Sequence, residues 1–228
     1  MKSTQTLSPI YVPYNNFKPT KWRKTNWVIY IFGIALAWLS YGFLGWLAEI
    51  LRPDFQPHPL HFQTPTFERL RAILILVVIL AIVFAIHELI HATFLYFFTG
   101  HFPSLVAGAG GLAIRLPSWY IPRDQFLIAN LAPFVVITLV AILLLPTVAQ
   151  SYIRLMVFFT AMNVAGSIAD ILSSAYLFLH PPSIYLETEG TIYFDESADP
   201  NLVLAWKVRV RSLVESAIDK LDPTNGAG

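Results

Sequence analysis

Residues 73–98 read "ILILVVILAIVFAIHELIHATFLYFF". The stretch is long enough to cross a bilayer, for which about 20 apolar residues suffice. Yet it carries His87, Glu88 and His91. A charged side chain at the bilayer centre costs about 2.5–3.5 kcal/mol on insertion scales. On a helix, positions i and i+4 share a face, so His87 and His91 can hold one ion between them. Glu88 is turned by about 100° from His87 and stays close to that ion. This is the H-E-x-x-H arrangement, in which two histidines bind zinc and the glutamate acts as general base on zinc-bound water. A metal cation supplies locally the charge that makes such a cluster tolerable in an apolar span. The plainer alternative is a pair of buried histidines bonded to neighbouring helices.

The rest of the chain sets this helix in a membrane. Hydrophobic residues make up 56% of the 228 residues and charged residues 13%, against a usual charged share of about 25%. The mean hydropathy is +0.59. Too little polar surface is present to cover a soluble globule, and the composition reads as that of an all-α membrane protein. About four transmembrane helices are expected, over Asn26–Ala48, Ala72–Phe98, Gln125–Ala149 and Tyr152–Leu179. The connection "GHFPSLVAGAGGLAIRLPSWYIPRD", residues 100–124, is apolar for a loop and reads either as a re-entrant loop or as a strand edge. Residues 184–194, "IYLETEGTIYF", place two β-type runs around Glu189-Gly190 and predict a hairpin. A helix is expected to follow from about Pro200 to Leu221. The chain thus divides into an N-terminal tail (1–25), a transmembrane unit (26–180) and a small hairpin-helix tail (181–228).

Cation placement gives an orientation. Lys2, Lys18, Lys21, Arg23 and Lys24 precede the first span, and Lys207, Arg209, Arg211 and Lys220 follow the last. The bias favours cytoplasmic N- and C-termini, with Arg52, Arg69 and Arg71 of the first loop on the less favoured side. The net charge is +1 and no basic stripe marks a nucleic-acid partner. With no cysteine in the chain, disulfides and thiolate metal sites are excluded, and any metal must be held by His, Asp, Glu or water.

A catalytic zinc site needs a third protein ligand and an open position. Asp170 is the one acidic residue in the fourth span. It lies about 10 residues, or about 15 Å, before the Pro181-Pro182 break, and HELIH lies about as far before Gly100. Two helices running in the same direction therefore bring His87, His91 and Asp170 to one level. His101 and His180 are rivals that also read as interfacial histidines. His58 and His61 lie in the Pro-rich first loop, on the opposite side by the orientation above. Asn163 sits seven residues before Asp170, on the same helix face, where it can orient the ligand, bind substrate or pack helices.

These residues resemble the membrane-embedded zinc metalloproteases of the site-2 protease type, and more closely a small zincin peptidase family related to them. The resemblance runs from about Ile86 to Asp170. "HELIH" is similar to the family's zinc-binding helix and "GAGGLAIRLP" to the Gly-Gly segment that follows. "IPRDQFLIANLAPF" resembles the start of the next helix, and "NVAGSIAD" the later helix that supplies an Asn and the ligand Asp. Carried over, the resemblance implies His87, His91 and Asp170 as zinc ligands and Glu88 as base. In this chain Ala132 precedes Pro133 where the site-2 type usually has Gly. Ile171 follows Asp170, also in place of a Gly, and no Pro stands between Asn163 and Asp170.

The expected activity is hydrolysis of peptide bonds in a membrane or membrane-proximal protein, with the lipid bilayer as the surrounding medium. A catalytically inactive, zinc-braced scaffold is the second expectation. An ion or metal transporter would use similar buried ionisable groups, but the chain shows no internal repeat of the kind transporters carry.

Overall fold

A computed structural model describes residues 1–16, 26–54, 66–108, 111–188 and 191–195. Its elements are β1 (Tyr11–Asn16), α1 (Asn26–Leu51), α2 (Thr66–Thr99), β2 (Ser104–Gly108), β3 (Gly111–Arg115) and β4 (Tyr120–Pro122). They continue with α3 (Arg123–Leu144), α4 (Gln150–Gly166), α5 (Ile168–Phe178), β5 (Tyr185–Glu187) and β6 (Thr191–Asp195). The helix expected over about 200–221 and the loop bearing His58 and His61 lie outside the described residues.

Among the described residues, three helices are long and apolar enough to cross a membrane, within Tyr30–Leu51, Ile73–Thr99 and Arg123–Leu144. The pair α4 and α5 adds a fourth if its two members form one span. In α2, Leu74, Val77, Val78 and Leu89 are all more than half exposed. A helix that offers apolar side chains all round, without a protein partner for most of them, has lipid as its natural solvent. Gly100 ends α2 in the left-handed conformation, φ +73°, and its N–H closes on the Tyr96 carbonyl at 2.7 Å. Only a residue without Cβ adopts that C-terminal cap at no steric cost.

The fourth expected span is not one helix. It bends by 44° between α4 and α5, at the pair Gly166-Ser167. Sharp kinks gather at Gly/Ser pairs, and here the Ser167 hydroxyl donates to the Asn163 carbonyl at 2.9 Å. The Ser167 N–H turns back to the same carbonyl. Asp170 therefore falls in the first turn of α5 rather than midway along a straight rod. On α4, Ile153, Val157, Thr160, Ala161 and Val164 are buried. That helical spacing turns one face inward, and α4 packs against α1, α2 and α3.

The all-α expectation needs amending, because among the described residues two small sheets accompany the helices. The larger is antiparallel in the order β1-β6-β5-β4. The predicted hairpin forms as β5 and β6. Its partners come from far away: β1 from the N-terminal tail and β4 from the connection before α3. Pro13 sits on the edge strand β1 at a register shift, where a missing N–H does no harm to the ladder. Thr4 bridges Tyr120 on the outer side of β4, and the Ser3 hydroxyl donates to the Phe98 carbonyl at the end of α2. The second sheet is the hairpin β2-β3, formed within the apolar connection.

Period-2 burial in β6 points Ile192 and Phe194 inward. They join Leu127 of α3, Leu177 of α5, Ile184 and Leu186 in one core. This core fixes the ends of α3 and α5 on the sheet. Ile192 is fully buried, and Ile→Ala in a packed core costs about 2–5 kcal/mol. Equilibrium unfolding in mixed micelles is expected to show that loss for Ile192→Ala. The same measurement should place Leu39→Ala, at an exposed position of α1, within about 0.5 kcal/mol of the parent.

Candidate metal centre

His87 and His91 come from α2, one turn apart, and Asp170 from the first turn of α5. Their side chains converge. His87 Nε2 lies 3.1 Å from His91 Nε2 and 3.2 Å from Asp170 Oδ2. His91 Nε2 lies 3.6 Å from the same carboxylate oxygen. The His87 ring is buried, and His91 and Asp170 are partly so.

The protonation of each ring is dictated by what lies behind it. His91 Nδ1 is 2.8 Å from the Ala129 carbonyl, a group that can only accept, so Nδ1 carries the hydrogen and donates it. His87 Nδ1 is 2.9 Å from Asn163 Oδ1, and the other end of that amide, Nδ2, is 3.3 Å from the Pro133 carbonyl. That carbonyl also only accepts. The Asn163 amide must therefore turn its NH₂ to Pro133 and its oxygen to His87, which leaves His87 Nδ1 as the donor. In the neutral rings both Nε2 atoms consequently present bare lone pairs to each other and to a carboxylate.

Three acceptors at 3.1, 3.2 and 3.6 Å are placed to share one cation. Ligands at 2.0–2.1 Å in a tetrahedral zinc site stand about 3.3 Å apart, which is the average spacing here. The donor set of two imidazoles and one carboxylate is one that suits zinc. Among the described residues this is the one group of three His, Asp or Glu side chains placed to share an ion.

Glu88 lies beside the group, half-buried. Its carboxylate faces the Ile114 backbone N–H of β3 and is close to both histidines and Asp170. The strand thus passes over the site. Asn130 of α3 secures the far side, where its Nδ2 donates to the Asp170 carbonyl at 2.9 Å and to the Ser174 hydroxyl at 3.0 Å. This holds the first turn of α5 against α3.

The structure brings His87, His91 and Asp170 together with Glu88 and assigns Asn163 a place behind His87. It separates the two rival histidines from them. His101 packs on Trp119 with ring centres 4.8 Å apart and its Nδ1 meets the Thr99 carbonyl at 3.0 Å. His180 lies beyond α5, against Tyr176 and Phe194. Sequence reasoning missed Asn130 and the Ala129 carbonyl. Asn130 offered one signal, being an amide inside an apolar span. A backbone carbonyl offers none.

Comparison with known proteins agrees with this geometry. A family model described as "Putative zincin peptidase" matches residues 80–185. The match covers somewhat less than half of the chain, from mid-α2 to the start of β5, and includes all four residues of the site. It supports a zincin relationship for that region. No curated protein and no solved structure matches the chain.

Elemental analysis of the detergent-purified protein is expected to return about one zinc per chain. Asp170→Ala should lose most of it. An equal zinc content in the two proteins would remove Asp170 from the ligand set.

Proposed function

We propose that the protein is a membrane-embedded zinc metallopeptidase that hydrolyses peptide bonds of membrane or membrane-proximal proteins. The observation that carries this reading is the convergence of His87 Nε2, His91 Nε2 and Asp170 Oδ2 with Glu88 at their side. The relation to the site-2 protease type rests on the motifs along α2, α3 and α4–α5.

Zinc held by the three ligands would supply a Lewis acid that polarises the scissile carbonyl and makes water more acidic. Glu88 takes the proton from the attacking water and later gives it to the leaving amine. Asp170 stays ionised as a ligand, and Asn163 and the Ala129 carbonyl keep the two Nε2 atoms unprotonated and aimed at one point. The apolar surfaces of α2 and α3 limit access by bulk water. A transmembrane substrate has its carbonyls engaged while helical, so it must be extended locally. β3 is paired with β2, and among the described residues no strand pairs with its other edge. An extended segment laid along that edge comes beside Glu88, whose carboxylate faces the Ile114 N–H.

That same contact favours the second reading. A carboxylate that ties α2 to β3 can serve as a brace in a non-catalytic, zinc-bearing scaffold. Glu88→Gln separates the two, because the amide keeps the metal ligands but cannot act as base. Membranes containing the parent or the variant would be compared for truncated membrane proteins. Zinc content should be equal, and cleavage should fall by about 10²–10⁴-fold in Glu88→Gln. Identical protein patterns in the two membranes would favour the scaffold.

The sheet supports four crossings with both termini on one side, the cytoplasmic side by the cation bias. β1 precedes the first helix, β4 follows the second and β5 follows the last, yet they share one sheet. An even number of crossings separates each pair only if α4 and α5 together make a single bent span. Since the chain contains no cysteine, Ser8→Cys and Ala149→Cys can each report alone. In sealed vesicles an impermeant maleimide is expected to label them from opposite sides. Labelling from the same side would overturn this topology.

A further inference from the structure

We propose that Pro133 is the positioning residue of the metal centre, because it withholds a backbone donor from the Ala129 carbonyl and so reserves that carbonyl for His91. Pro133 is buried inside α3. In an α-helix the N–H of residue i donates to the carbonyl of residue i−4. Residue 133 has no N–H, so the regular α-helical donor to the Ala129 carbonyl is missing. The proline ring also crowds the carbonyl of residue i−4 and tilts it away from the helix axis.

An orphaned carbonyl inside an apolar bundle is costly unless another donor meets it. The donor here is His91 Nδ1–H, 2.8 Å away. Each group satisfies the other: the carbonyl gains its hydrogen bond, and the imidazole is fixed with Nε2 bare. The carbonyl of Pro133 itself holds the Nδ2 of Asn163 at 3.3 Å, and Asn163 sets His87 in the same tautomer at 2.9 Å. Both histidines are thus referred back to one turn of α3, whose two decisive carbonyls are that of the proline and the one the proline leaves open. A proline inside a regular helix destabilises it. Its position opposite His91 gives that cost a local return.

The inference deepens the zinc reading, on which its affinity readout rests. Its tautomer readout stands without metal. Three versions of the full-length protein in detergent are to be compared: the parent, Pro133→Ala, and a chain carrying the α-hydroxy analogue of alanine (lactic acid) at position 133. The last two differ only in N–H against ester oxygen. Zinc affinity is measured by competition with a chromophoric chelator. The ring nitrogens of ¹⁵N-labelled His91 are read by NMR in the metal-free protein.

Loss of an outer partner of a metal ligand typically lowers affinity 10–100-fold. Pro133→Ala should weaken zinc binding by roughly 10-fold and shift His91 away from the pure Nδ1–H form. The ester should recover most of both. Parent-like behaviour of Pro133→Ala would overturn the proposal. So would equal impairment of the alanine and ester versions, which would assign the effect to the packing of the ring. If the parent itself takes up no zinc, the metal reading fails, and the His91 nitrogen signals still decide the role of Pro133.

Discussion

Acceptor atoms crowded together in a medium of low dielectric repel one another unless a cation stands among them. His87 Nε2, His91 Nε2 and the Asp170 carboxylate are so crowded, and helices from three parts of the chain are arranged to keep them so. α2 supplies the two rings at helical spacing. α3 turns the Ala129 carbonyl toward the rear of the His91 ring, and α4 turns the Asn163 amide toward the rear of the His87 ring. α5 brings the carboxylate, and Asn130 pins the backbone of that turn to α3. Without the convergence, little in the composition of these helices would require α4 and α5 to part where they do.

The parting at Gly166-Ser167 has an electrostatic side. A straight helix would leave Asp170 in mid-span, among peptide dipoles that cancel locally. After the break it stands in the first turn of a new helix, whose N-terminal end favours a carboxylate. The break also lets α5 lean toward the sheet, so that Leu177 reaches the core formed with Leu186 and Ile192. One local irregularity thus serves the site at one end of α5 and the anchoring of the bundle at the other.

Much of this was legible in the sequence wherever the signal was local. The helical spacing of His87 and His91 follows from four residues of separation. Asp170 stood out as the acidic residue of its span. The spans declared themselves by hydropathy, although α2 begins at Thr66, ahead of the expected Ala72, and α3 ends at Leu144, short of the expected Ala149. The sheet was legible only in its hairpin, because β1 pairs with a strand nearly the whole chain away, Tyr11 against Asp195, and a six-residue run containing a proline carries no mark of its partner. The bend escaped notice because Gly and Ser are tolerated inside apolar helices and break them only where the surroundings reward it. The carbonyl behind His91 is invisible in principle, since every residue has one and only the fold selects which is left open.

The path of the N-terminal segment bears on how the protein is made. Thr4 lies along the outer edge of β4, and Tyr11–Asn16 lie along the outer edge of β6. Residues 4–16 thus cover both margins of the three strands between them, margins that would otherwise invite pairing with foreign chains. These residues leave the ribosome well before β5 and β6 exist. They have to wait through the insertion of every intervening helix before their partners emerge. The four-stranded sheet can therefore close only after β5 and β6 have emerged, when every intervening helix has already been placed.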